Sequence, residues 1–143
     1  MKSRIMTTIT NSKEETLIIK EQDVVPLRNR VKEYGVKIGM SILNQTKLIT
    51  ATSELVRNLL KYGGGGKVII ESVSNGRDKG VRVTFIDNGP GIADVDLAMK
   101  DGYSTGKSLG LGLPGTKRLV NEFDIQTELG KGTTVTITKW KNG

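Results

Sequence analysis

Glycine constrains this chain more than any other residue. It supplies 18 of 143 positions, roughly twice the usual ~7 % share, and it is not spread evenly. The glycines gather at 63–66, 89–91, 102–115 and 130–132, each group lying between segments with clear hydrophobic patterning. Glycine in such joins marks backbone that turns sharply or approaches something closely. The chain therefore reads as ordinary helices and strands whose connections carry the unusual demands.

Those elements follow from periodicity. Thr16 to Lys20 reads as a short strand, with residues 1–15 polar and partly disordered. Asp23 is a candidate cap for a helix from Val24, where Val24, Leu27, Val31 and Tyr34 share a face and Pro26 sits in the tolerant first turn. Ser41 to Tyr62 is the strongest helix, with Ile42, Leu48, Ile49, Leu55, Val56, Leu59 and Leu60 on a stripe of 3.6 period, and Gly63 to Gly66 end it. Lys67–Ser74 and Val81–Ile86 are strands joined across Asn75-Gly76, a hairpin signal. A short helix over Ala93–Asp101, a mobile loop over Gly102–Gly112 and an amphipathic helix over Leu113–Phe123 come next. Ile125–Leu129 and Thr133–Trp140 close the chain as strands, with Val135, Ile137 and Lys139 on one face of the second. Short turns between consecutive strands require a mixed, mostly antiparallel sheet. Helices on one face of it give a two-layer α/β sandwich, a single domain over 1–143.

Composition removes several chemistries. There is no cysteine and no histidine, which excludes thiol nucleophiles, zinc–thiolate sites, histidine triads and a phosphohistidine on this chain. No apolar run reaches the ~20 residues of a membrane helix, and the first ten residues lack the apolar core of a signal peptide. A cytoplasmic location and no membrane partner are expected. The formal net charge is +7, which favours acidic partners. The basic residues are scattered and aromatics are 4 %, so no nucleic-acid partner is expected.

Two motifs mislead. GYSTGKS at 102–108 has three residues between Gly102 and Gly106 where a P-loop needs four, and no strand leads into it. GLGLPG at 110–115 fits a dinucleotide-binding fingerprint but lacks the preceding strand and an acid ~20 residues on. Both still place glycine-rich backbone before a helix N-terminus, where free N–H groups meet anions.

Three further signals coincide in order. Glu54 and Asn58 stand one turn apart on one face of the long helix, with Lys61 on the same line and Tyr62 beside it. DNGPGI at 87–92 follows a strand directly, setting the Asp87 carboxylate over the close-approaching backbone of Gly89 and Gly91. TGKSLGLGL opens a helix, and a GKGT turn follows at 130–133. ELVRN at 54–58, DNGPGI, GLGLPG and GKGT together resemble the boxes of the GHKL superfamily, which includes histidine-kinase catalytic domains, Hsp90, gyrase B, MutL and the bacterial anti-sigma serine kinases. The stretch DGYSTGKSLGLGLPGTKRLVNEF is similar to the small serine/threonine switch kinases of the stressosome, the RsbT type.

The resemblance covers about residues 15–141 and implies the Bergerat fold with a glycine-rich ATP lid. It implies ATP/ADP and Mg²⁺ as ligands. Asp87 would accept the adenine amine, which an ionised carboxylate does as an acceptor only, with Thr133 supporting that edge. Gly89, Gly91 and Ile92 would approach the base and ribose. Asn58 would give its amide oxygen to Mg²⁺, a metal that prefers hard oxygen ligands. Lys61 would touch phosphate and Tyr62 would pack on the nucleotide. Gly106, Lys107, Ser108, Leu109, Gly110, Leu111 and Gly112 would form the lid around the phosphates. Glu54 would be the base that takes the acceptor hydroxyl's proton. The implied activity is serine/threonine phosphorylation of a STAS-domain partner in a bacterial stress-response switch. A phosphatase or a sigma factor is a downstream partner in this reading. The alternative is an anti-sigma factor that binds a sigma subunit directly and phosphorylates its antagonist.

Overall fold

The hairpin signal at Asn75-Gly76 organises the sheet. In the computed structural model, which describes residues 8–91, 99 and 112–143, strand β2 (Gly66–Asn75) turns back through Gly76-Arg77 into β3 (Asp78–Asp87), with Asn75 opposite Asp78. Strand β1 (Ile9–Ile18) lies on the outer side of β2. On the other side of β3 lies β5 (Gly132–Trp140), and β4 (Glu122–Glu128) forms the far edge. The order is β1-β2-β3-β5-β4, and every described pairing is antiparallel.

Among the described residues three α-helices cover one face: α1 (Val24–Lys37), α2 (Ile42–Gly63) and α3 (Gly112–Leu119). Leu27 and Val31 of α1 and Leu48, Leu55, Val56 and Leu59 of α2 pack on Val68, Ile70, Val83, Phe85 and Ile137 of the strands. The opposite face carries Glu71, Arg82, Thr84, Thr136 and Asp124, out of phase with that core. This is the two-layer sandwich that the patterning requires. Ser41 caps α2 by accepting the Asn44 N–H at 3.1 Å, and Gly64 ends it in the left-handed conformation, φ 72°.

Two boundaries and one helix cap differ from the sequence reading. Strand β1 begins at Ile9 rather than Thr16, and the polar stretch 9–15 is paired rather than frayed. The cause is lateral: Glu14 accepts from Arg30 of α1 and from the Tyr34 hydroxyl at 3.2 Å. Arg30 also pairs with Glu33 and stands 5.7 Å from the Tyr34 ring centroid. Asp23 does immediately precede α1, but its carboxylate turns back and accepts from the Ile19 and Lys20 amides at 2.9 and 3.0 Å. The helix expected through Phe123 stops at Leu119. Asn121 draws the chain onto β5, its N–H reaching Thr138 O at 3.0 Å and its side chain accepting the Trp140 N–H at 2.8 Å. From Glu122 onward exposure alternates residue by residue, with Phe123, Ile125 and Thr127 turned inward. The stretch expected as a helix over Ala93–Asp101 lies outside the described residues apart from Met99.

Candidate nucleotide site

The end of β3 and the end of α2 meet at a ring of glycine. Asp87 is the last residue of β3, opposite Gly66 on one side and Thr133 on the other. Thr133 in turn stands opposite Thr127. Gly66, Asp87, Thr133 and Thr127 thus form one row across four strands, two residues beyond the apolar row of Val68, Phe85 and Val135. Side chains two apart along a strand share a face, so this row continues the helix-covered face just where the core ends.

Hydrogen bonds fix the Asp87 carboxylate asymmetrically. Oδ1 accepts from the Gly89 N–H at 2.8 Å and the Thr133 N–H at 3.3 Å. No hydrogen bond to Oδ2 occurs among the described residues. Thr127 Oγ1 lies 3.1 Å from Gly132 O and 2.9 Å from Thr133 Oγ1. With the Thr127 proton donated to that carbonyl, Thr133 donates to Thr127 and keeps an acceptor lone pair.

The glycines hold this space open. A Cβ on Gly63 would lie 2.6 Å from Asp87 Cβ and Cγ and 2.8 Å from Oδ2, and one on Gly132 would lie 2.1 Å from Asp87 O. A Cβ on Gly89 would stand 2.9 Å from Gly63 Cα and 3.2 Å from Asp87 Oδ1. No other residue fits these positions without displacing backbone or the carboxylate. Gly91, with φ 81°, packs against Glu128 O and Thr127 in the same way.

Helix α2 carries the second group of candidates. Glu54 is only 7 % exposed. The residue is packed into the fold rather than lying on a solvated helix edge, and its carboxyl makes no hydrogen bond or ion pair among the described residues while keeping some access to solvent. Asn58, half-buried, follows one turn later, also with no described side-chain hydrogen bond. At 1.5 Å per residue, Asn58 lies roughly 7 Å and Glu54 roughly 13 Å along the axis from Gly63. Lys61 is exposed, with its amine 5.3 Å from the Tyr62 ring centroid.

The structure thus brings Asp87, Gly89, Gly91 and Thr133 together with the α2 terminus at Tyr62 and Gly63, and it strings Glu54, Asn58 and Lys61 along the same helix. Gly112 opens α3 with φ 71°, and its carbonyl accepts from the buried Thr116 hydroxyl at 2.9 Å. Ile92 and lid candidates Gly106, Lys107, Ser108, Leu109, Gly110 and Leu111 lie outside the described residues. The sequence reading missed Gly63 and Gly132 as walls of the cradle, and Thr127 as the partner of Thr133. Gly63 was legible only as a helix stop; Thr127 becomes visible once β4 and β5 are paired in register.

Residues 43–142 match the family described as histidine kinase-, DNA gyrase B-, and HSP90-like ATPase. The chain belongs to that family. It is 40 % identical over 123 residues to the serine/threonine-protein kinase RsbT of Bacillus subtilis, covering 86 % of this chain and 92 % of that one. The anti-sigma F factor of Thermoanaerobacter sp. is 27 % identical over 137 residues, 92 % of this chain and 94 % of that one. The RsbU and RsbW domains of Rv1364c from Mycobacterium tuberculosis share the fold, with a TM-score of 0.63 at 22 % identity. That match spans 90 % of this chain and 32 % of the longer one. The chain is a nucleotide-using serine/threonine-protein kinase. No helix among the described residues is long and apolar enough to cross a membrane.

Proposed function

We propose that this kinase transfers the γ-phosphoryl group of ATP to a serine or threonine hydroxyl on a STAS-domain partner, with Glu54 as the general base. The observation that carries the reading is the buried residue Glu54, its carboxyl without a partner among the described residues, one turn from Asn58 on the helix whose end abuts Asp87. A serine hydroxyl is a poor nucleophile, and a carboxylate within hydrogen-bond reach takes its proton as attack proceeds. The acceptor O–H bond breaks toward Glu54, the new O–P bond forms, and the bond from the γ-phosphorus to the bridging oxygen breaks, releasing ADP.

The residues fit the nucleotide and its metal. Asp87 Oδ2 faces the Gly63 side of the cradle, free among the described residues to accept an adenine amine, and Gly63, Gly89 and Gly132 leave the base its room. Thr133 offers a hydroxyl acceptor to the same edge. Asn58 supplies a hard amide oxygen of the type Mg²⁺ takes. When bound, the metal neutralises charge on the phosphates. Lys61 and Tyr62 serve the nucleotide from the helix end, as phosphate contact and packing surface. Lys107 and the amides of Gly106 to Gly112, with Ile92 before them, complete the site in the manner of the family.

The test is Glu54→Gln. ATP binding by calorimetry stays within about twofold of wild type, and phosphoryl transfer to a STAS-domain protein falls by about 10²–10³, the usual weight of a general base. Normal transfer by this variant removes Glu54 from the mechanism. The similarity to anti-sigma F factors over 92 % of the chain favours a second reading, direct binding of a sigma subunit. A pull-down against purified sigma subunits separates the two.

A further inference from the structure

The stripe predicted for α2 fails at its first turn. Ile42 is 79 % and Leu43 64 % exposed, and Val36 at the end of α1 is 54 % exposed beside them in the chain's path. This aliphatic knuckle lies at the opposite end of a 22-residue helix from the nucleotide site, roughly 30 Å away at 1.5 Å per residue.

Its surroundings are basic. Residues 34–53 and 129–143 contain no aspartate or glutamate. Lys141 runs its side chain across Gly39, 3.2 Å from where a Cβ would be, and its carbonyl accepts from the Asn44 side chain at 3.1 Å. The Lys141 N–H bonds Lys79 O at 2.7 Å, bringing the hairpin with Arg77 and Lys79 to the same pole. Lys139 is 3 % exposed, and burial, together with the nearby Lys47 charge, lowers its pKa. Asp78 is the acid of that hairpin. Lys139 donates its ammonium to Gly143 O at 3.2 Å; among the described residues, none of Lys37, Lys47, Arg77, Lys79 and Lys141 has an aspartate or glutamate carboxylate within 4.0 Å, whereas Arg30, Lys67, Arg82 and Lys131 each do.

We propose that this pole docks an acidic protein, one that offers carboxylates around an aliphatic recess, and that this protein is not the phosphate acceptor. Unpaired cations around exposed aliphatics make a surface whose complement is acidic at the rim and apolar at the centre. Nucleic acid offers no seat for the aliphatic side chains, and Trp140, the aromatic between Lys139 and Lys141, is half-buried against Gly80 with its indole N–H held by Glu122 at 2.8 Å rather than presented to a base. A membrane-surface helix lays a long apolar face in the interface; here the rest of the α2 stripe is already buried on the sheet. The distance from the nucleotide site lets this partner and a phosphate acceptor be held at once. Nothing in this inference depends on the role assigned to Glu54.

The experiment maps amide NMR shifts of the full chain during titration with an amphipathic Glu/Leu helical peptide. Parallel arms use a Glu/Gln peptide of equal charge, phosphatidylglycerol vesicles and a DNA duplex. The Glu/Leu peptide is expected to shift residues 36–47 and 139–141 while Asn58, Asp87 and Gly89 stay still. The double variant Ile42→Asp, Leu43→Glu is expected to weaken it about tenfold or more, by loss of the central anchors. Acidic residues in the first turn of α2 suit its dipole, so the variant keeps its melting temperature and its ATP affinity. Should it fail to fold, Lys47→Gln with Lys141→Gln is expected to weaken the peptide about fivefold by removing two rim charges. The proposal is overturned if the Glu/Gln peptide binds equally well, if vesicles or DNA bind more tightly, or if the shifts fall elsewhere.

Discussion

Three buried or half-buried acids on this molecule fall into two groups with opposite fates. Glu14 has both oxygens engaged, by Arg30 and by Tyr34, and ties the polar edge strand β1 to α1. Glu54 is more deeply buried and has no described partner, and Asp87 spends one oxygen on backbone amides and leaves the other open. The first arrangement holds the fold together. The second leaves carboxylate oxygens for something that arrives from outside. A carboxylate's neighbours, more than its burial, separate structural from chemical acids in this chain.

The comparison is broken most severely at Glu54, where the glutamine variant separates binding from transfer as set out above. Next in size is Gly63→Ala. Its Cβ would meet the Asp87 carboxylate at 2.6 Å, so ATP affinity is expected to fall by about a hundredfold or more, while overpacking costs the fold about 1–3 kcal/mol. Calorimetric titration and a urea melt measure the two effects, and an unchanged affinity would show that the base sits elsewhere. Asp87→Asn sharpens the same point. With its oxygen kept toward Gly89 and Thr133, its NH₂ faces the adenine amine, donor against donor. A drop of about ten- to a hundredfold in ATP affinity is expected, the weight of one charge-assisted hydrogen bond, with the melting temperature nearly unmoved.

The smallest effect lies at Glu14. The Arg30 side-chain hydrogen bond is the main cause that holds its carboxyl below the ordinary glutamate value. A lowered folded-state pKa means stability that is present above the unfolded value of about 4.3 and lost as pH falls through the folded one. For a partly solvated pair this amounts to less than about 1 kcal/mol. Glu14→Gln should therefore cost that much at pH 7 and nothing near pH 2–3, read from urea midpoints at the two pH values. Equal losses at both would place its contribution in packing rather than charge.

Much of this was legible in the residues because period and punctuation agreed. The α2 stripe, the Ser41 cap and the glycines after Tyr62 all mark one helix, and Asn75-Gly76 fixes the hairpin. The line Glu54, Asn58, Lys61 followed from helical spacing alone. What escaped depends on contacts between distant segments. The polar residues before Thr16 become strand because Glu14 meets α1, sixteen residues from Arg30. Phe123 fits a helical face and a strand alternation equally; Asn121 bonding to β5 decides for the strand. The exposed Ile42 fits the buried stripe by spacing, yet it sits one turn beyond the sheet that buries the rest.

The position of β5 has a consequence for how the enzyme comes into being. This strand, near the end of the sequence, is laid between β3 and β4 and delivers Gly132 and Thr133 to Asp87. A ribosome that has already released Glu54, Asn58 and Asp87 still holds an unfinished pocket, with the sheet open at β3. Because domains gain long-range strand pairings late, the growing chain exposes its proposed base and purine reader well before it can capture nucleotide. The cradle around Asp87 is walled in only when that one strand closes into its slot.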